Sequence, residues 1–182
     1  MPQRKWLGFN QNMVIIVTGA IGIGKTTVCR KLIEIVRNRG YACGGILTYK
    51  ALDKGIIIED VQTGEVGTLA STSNVYDGPS TAKYSFNPKG INFGIQAIDK
   101  GASADILVVD EIGHLELRGE GFINVMGLMR TGKVKNCIIV IRKELLSAFL
   151  PQLDATMLVL ETTINNRNQL PAEIVSYLAS KR

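Results

Sequence analysis

Met13-Val14-Ile15-Ile16-Val17-Thr18-Gly19-Ala20-Ile21-Gly22-Ile23-Gly24-Lys25-Thr26-Thr27 is the stretch on which the fold turns. Residues 13–17 are an unbroken aliphatic run of strand length, the pattern of a strand buried on both faces. Gly19 to Thr26 then satisfies G-x-x-x-x-G-K-[ST] at every fixed position. The chemistry needs this spacing. The glycines let the backbone curl so that successive N–H groups of Gly19, Ala20, Ile21, Gly22, Ile23 and Gly24 point inward at phosphate oxygens, and the helix that follows adds its positive end. Lys25 is placed to reach the β- and γ-phosphates, the Thr26 hydroxyl to ligate Mg²⁺, and Thr27 to reach a further phosphate oxygen. From Lys25 onward Val28, Leu32, Ile33, Ile35 and Val36 recur at helical spacing until Gly40 stops the helix. A glycine turn that merely precedes a helix is the bland alternative, but a strand before and an amphipathic helix after are the context a phosphate loop requires. The dinucleotide fingerprint G-x-G-x-x-G is not matched, because Gly19, Gly22 and Gly24 run in the opposite spacing.

Ile106-Leu107-Val108-Val109-Asp110-Glu111 is the companion signal. Its aliphatic residues place a strand at the sheet centre, with Asp110 at the carboxyl end to hold Mg²⁺ through water. Ligands of open α/β sheets collect at that edge. Glu111 follows directly and is the expected general base, orienting or deprotonating an attacking water. No Asn-Lys-x-Asp base-reading element exists, since Asn87-Pro88-Lys89-Gly90 has the wrong order, so a Ras-like or translational GTPase is not expected.

Around these motifs the chain reads as strands alternating with helices, an α/β layered fold on a mainly parallel sheet. Residues 43–52 and 55–61 are strands around the turn Asp53-Lys54-Gly55, an antiparallel hairpin, and a short strand follows near 66–69. Residues 71–90, rich in Ser, Gly, Pro, Asn and Asp, read as one long loop, and such loops are commonly functional. Helices are expected at 91–100, 122–129, 144–149 and 171–180, with strands at 105–110, 137–141 and 156–160.

With 182 residues the chain is read as a short N-terminal extension at 1–12 and one domain at 13–182. Hydrophobic residues make up 46% and charged residues 20%, as in an ordinary globular protein. No aliphatic run approaches the roughly 18 residues of a membrane span, and the charged start is not followed by the apolar segment of a signal peptide. Three unpaired-looking cysteines and a single His exclude a zinc or disulfide scaffold and point to the reducing cytoplasm. The net charge of +5 suits phosphate-bearing partners, but no aromatic-interleaved basic stripe indicates nucleic acid.

Four ordered stretches together resemble the P-loop nucleoside-triphosphatases of the THEP type: the phosphate loop 19–27, the glycine turn Cys43-Gly44-Gly45 with its strand through Tyr49, Asp110-Glu111-Ile112-Gly113-His114-Leu115-Glu116-Leu117, and Asn166-Arg167-Asn168-Gln169-Leu170-Pro171. Lys83-Tyr84 resembles a further element before the middle helix. Leu115 stands where the family usually has Met, and Gly55-Ile56-Ile57-Ile58 replaces its Arg-x-Gly-Phe stretch. The resemblance implies a three-layer P-loop NTPase fold with a mainly parallel, RecA-like sheet plus the antiparallel hairpin. It also implies Mg²⁺-dependent hydrolysis of ATP and GTP with loose base selectivity. A protein partner on the hairpin is left open.

Other residues carry two readings each. Glu116 is either a structural salt-bridge partner or a catalytic part. Arg167 either contacts nucleotide or caps the helix beginning at Pro171. His114 is a turn residue or a proton shuttle, and Cys29 and Cys137 are buried thiols. Arg142, ending the strand 137–141, is the best internal candidate for an arginine finger, ahead of Arg118 and Arg167, against the plain alternative of a solvated charge. The functional expectation is a slow nucleoside-triphosphate phosphohydrolase. The alternatives are a P-loop kinase for a nucleotide or small metabolite, for which the hairpin shows no acceptor site, and a nucleotide-binding adaptor in cofactor assembly, which would have little use for Glu111.

Overall fold

The glycine pair Gly44-Gly45 decides how close the layers lie. A Cβ on Gly44 would stand 2.4 Å from the Cα of Gly101, so the end of a helix packs backbone to backbone against a central strand. The computed structural model describes residues 13–152 and 157–179; the extension at 1–12 and residues 156 and 180 lie outside them. Its strands are β1 (Met13–Gly19), β2 (Cys43–Lys50), β3 (Ile56–Asp60), β4 (Val66–Ser71), β5 (Ser85–Phe86), β6 (Ile106–Ile112), β7 (Asn136–Arg142) and β8 (Met157–Glu161). The helices are α1 (Lys25–Asn38), α2 (Pro88–Gly101), α3 (His114–Leu117), α4 (Asn124–Arg130), α5 (Leu146–Phe149) and α6 (Leu170–Ala179).

All strands join one sheet in the order β5-β4-β3-β2-β6-β7-β1-β8. The pairs β2–β6, β6–β7, β7–β1 and β1–β8 are parallel, and β2–β3, β3–β4 and β4–β5 are antiparallel. This is the expected three-layer α/β architecture, with one strand, β7, between β1 and the Asp110 strand. Alternation along the central strands divides the core. Ile15, Val17, Val108 and Val140 pack with α1 and α6 on one face; Ile16, Val109 and Ile139 pack with residues of α2 and α4 on the other.

The structure corrects three sequence expectations. The stretch 71–90 is not one loop: Ser71 ends β4, β5 crosses it, and α2 starts at Pro88 rather than 91. Asn87 accepts the Lys89 N–H at 3.1 Å and Pro88 takes the first turn, a helix start disguised by residues that also make loops. The helix expected over 144–149 is a 3-10 turn, Lys143–Leu145, running into α5. The third concerns β6, which runs through Glu111 to Ile112. Val109 pairs with Ile139 and Ile112 with Ile141, so two residues of β6, Asp110 and Glu111, stand opposite one of β7. That bulge explains why Leu107, Val109 and Ile112 share a face although the last step is three residues.

Candidate active site

The phosphate loop leaves β1 at a residue that only glycine fits. Gly19 has φ +144°, and a Cβ there would lie 2.8 Å from the Thr162 carbonyl oxygen. The loop then exposes Ala20, Ile21 and Gly22, with Ile23 and Gly24 partly covered, before α1 begins at Lys25. Lys25 is 6% exposed and its Nζ donates to the carbonyls of Gly19 and Ala20, each at 3.0 Å. Its ammonium is thereby held inside the curl of the loop. Thr26 Oγ1 donates to the Thr48 carbonyl at 3.3 Å, and Thr27 is exposed in the first turn of α1.

The bulge in β6 brings the two acids to the same cleft in different surroundings. Asp110 is 1% exposed, and burial pushes its carboxyl up to about 7, with Glu111 adding to the rise while hydrogen bonds from Thr26 and the Thr48 backbone pull the other way. Its Oδ2 is buried without a partner. A carboxylate oxygen orphaned beside a threonine hydroxyl is a costly arrangement that a cation or a metal-bound water satisfies. Magnesium in nucleotide-binding enzymes takes one or two protein oxygens and leaves its remaining positions to phosphate and water, a donor set that the Thr26 hydroxyl and the Asp110 carboxyl fit. Glu111 is partly exposed, and its Oε1 accepts from Arg142 Nε at 2.5 Å. Lys25, Thr26, Asp110, Glu111 and Arg142 line one cleft of about 310 Å³ beside the loop.

Other expected residues fall elsewhere. Arg167 reaches the loop, donating from Nη1 to the Ile23 carbonyl at 3.4 Å. The turn before α6 is braced instead by Asn166, whose Oδ1 accepts the Thr163 N–H at 2.8 Å and whose carbonyl accepts the Leu170 N–H. The capping reading of Arg167 is therefore replaced by a loop contact, and α6 begins at Leu170 rather than Pro171. Glu116 forms no ion pair among the described residues. Its oxygens accept the N–H groups of Gly113 at 2.7 Å and Phe122 at 2.8 Å, pinning the turn after β6. Burial still pushes its carboxyl above the ordinary range. Arg118 binds Glu120 at 2.8 Å and the Ser80 carbonyl at 2.9 Å, outside the phosphate cleft. Cys29, Cys43 and Cys137 are buried free thiols.

Thr48 was not singled out from the sequence. It acts through its backbone, joining Thr26 to the Asp110 strand, and no residue type announces such a role. The pairing of Arg142 with Glu111 was also unread, although each residue was singled out.

A family model described as NTPase matches residues 14–175. The chain belongs to this NTPase family. Among its relatives is the nucleoside-triphosphatase THEP1 of Pyrococcus abyssi, 30% identical over 169 residues, covering 90% of each chain. The protein of the same name from Methanosarcina barkeri is 29% identical, covering 92% of this chain and 98% of its own. The crystal structure of THEP1 from Aquifex aeolicus superposes with a TM-score of 0.72 at 22% identity, covering 91% of this chain and 99% of that one. That likeness establishes the family's fold here, and the matched segment takes in both the phosphate loop and the Asp110-Glu111 bulge.

Proposed function

We propose that this NTPase hydrolyses nucleoside triphosphates, ATP and GTP among them, to the diphosphate and phosphate, slowly and in the presence of Mg²⁺. The observation that carries the reading is the placement of Glu111, a partly exposed carboxylate in the same cleft as Lys25 and Thr26. An adaptor that only binds nucleotide has no use for a base there. Loop N–H groups and Lys25 hold the phosphates, with the lysine charge concentrated on the β–γ end. Thr26 and Asp110 would hold Mg²⁺, which when bound would supply charge stabilisation on the transferring phosphoryl group. Glu111 takes the proton of the attacking water as its oxygen bonds to the γ-phosphorus. Arg167 at the loop edge contacts the nucleotide. Loose base selectivity is what the family resemblance supports.

The state of Arg142 supports the reading of slow turnover. The best-placed arginine spends its charge on Glu111, so neither base nor finger is free without rearrangement. The three buried thiols suit the reducing cytoplasm, and among the described residues no helix is long and apolar enough to cross a membrane. Phosphate release from a panel of triphosphates, with Mg²⁺ and with chelator, tests the reading. Turnover with several bases that stops on chelation is expected; no release from any triphosphate contradicts it.

A further inference from the structure

A second cavity of about 400 Å³ adjoins the phosphate cleft and shares Thr48, Ile56, Tyr84, Glu111 and Arg142 with it. No phosphate-loop residue lines it. Its remaining walls come from Leu69 of β4, from the segment before α2 with Ile91 of that helix, and from the turn after β6, which Glu116 pins in place. Its volume lies within the roughly 300–1,000 Å³ of small-molecule sites, far more than a single attacking water requires.

Position gives the cavity its meaning. In phosphoryl transfer the attacking oxygen enters in line, opposite the leaving oxygen. The loop and Lys25 occupy the leaving side, so space beyond Glu111 is space on the attacking side. The lining gives the class of occupant. Tyr84 and Phe86, both partly exposed, offer ring faces and edges, and the buried Phe122 backs the wall, while Lys83, His114 and Arg118 stand among the polar groups. Lys83 Nζ sits 5.2 Å from the Tyr84 ring centre. The two acids in the wall are already engaged, Glu111 by Arg142 and Glu116 by two backbone N–H groups. The lining therefore favours a ring-bearing molecule and tolerates a negative substituent, and the position of Glu111 suits a hydroxyl on it.

We infer that this cavity is an acceptor site, and that the enzyme transfers the γ-phosphoryl group to a ring-bearing alcohol of nucleoside size as well as to water. The inference rests on the proposed role of Glu111 as base. The acceptor hydroxyl oxygen bonds to the γ-phosphorus, its proton passes to the Glu111 carboxylate, and the bond from phosphorus to the β–γ bridging oxygen breaks. The nucleoside diphosphate leaves with that electron pair. Triphosphate and alcohol thus become diphosphate, phosphate ester and one proton, with no further reactant.

The test follows γ-labelled ATP with Mg²⁺ and the full chain, adding in turn the four ribonucleosides and their 3′-monophosphates as probes. Label is expected on the 5′-hydroxyl of at least one probe, with the 3′-monophosphates favoured. Ala82→Trp fills the cavity from an exposed position outside the phosphate cleft and should lower the ratio of transfer to hydrolysis by about tenfold or more, equivalent to about 1.4 kcal/mol. Lys83→Glu, also exposed, should lower transfer to the 3′-monophosphates more than to the nucleosides. Label found only in free phosphate with all eight probes overturns the acceptor site and leaves hydrolysis standing. Transfer that is unchanged in both variants overturns it equally. Absence of any label release overturns the hydrolysis reading itself.

Discussion

Arg142 Nε lies 2.5 Å from Glu111 Oε1, joining the carboxyl end of β7 to the bulge of β6. Both side chains are partly exposed, 28% and 22%, so the pair sits at the mouth of the cleft rather than in the core. Each side chain keeps part of its surface in solvent at the cleft mouth, where an entering anion can reach the pair. On the proposed reading, a γ-phosphate entering the cleft would compete with Glu111 for the guanidinium, and success in that competition would free the proposed base.

Arg142→Ala is therefore expected to leave folding intact and to lower the single-turnover hydrolysis rate by at least about tenfold, with Arg142→Lys recovering only part of it. A full arginine finger is worth roughly 10³–10⁵, and a lysine lacks its planar fork. A wild-type rate of tens per second that Arg142→Ala does not change would remove both the finger and the slow-enzyme account.

The proposed Mg²⁺ site makes a separate prediction. Thr26→Ala and Asp110→Asn should raise the Mg²⁺ concentration needed for half-maximal hydrolysis, because one removes the hydroxyl ligand and the other the charge beside it. Mg²⁺ titrations that superpose on the wild type for both variants would take these residues out of the metal shell.

Glu116→Gln tests the pinned turn. The amide offers one acceptor where two N–H groups, of Gly113 and Phe122, now find carboxylate oxygens, so one donor is left unpaired at about 1–3 kcal/mol. Burial raises the folded-state carboxyl above its unfolded value, so its contribution to stability is full at low pH and declines as pH rises through the folded pKa. The stability gap between wild type and Glu116→Gln should accordingly shrink from about pH 4 to pH 7. Denaturant titrations at both pH values check it, and a gap that widens would contradict the burial.

The thiols give a chemical check on the core. Burial pushes Cys43 up to about 11 and Cys137 up to about 12, and raises Cys29 well above its ordinary value with Asp110 adding to the effect. Thiolate is the reactive form, so the folded protein should resist iodoacetamide at pH 8 at all three positions and react at all three in denaturant. Rapid modification of Cys29 in the folded protein would mean that α1 does not cover it as described.

The phosphate loop, the central strands and the hairpin were legible because each rests on local signals: an aliphatic run, a glycine spacing, a turn. Asp110 and Glu111 were legible as a pair, yet their separate fates were not. One residue of bulge in β6 leaves Asp110 almost fully buried and Glu111 partly exposed on the same cleft, and pairing across strands leaves no mark in local sequence. Asn87-Pro88 was misread for the opposite reason, since the residues that cap helices also build loops. The contact of Thr26 with the Thr48 carbonyl joins positions 22 residues apart through a backbone atom, which side-chain identity does not encode.

Glu111→Gln separates chemistry from binding more cleanly than any other change. The amide keeps the size of the side chain and its hydrogen bonding but takes no proton. Single-turnover hydrolysis and nucleotide affinity, measured on the same preparation, should show kcat falling by about 10²–10⁴ while the dissociation constant for Mg²⁺-nucleotide stays within a few-fold of wild type. Equal loss of binding and turnover, or turnover at the wild-type rate, would contradict the assignment of Glu111 as the base.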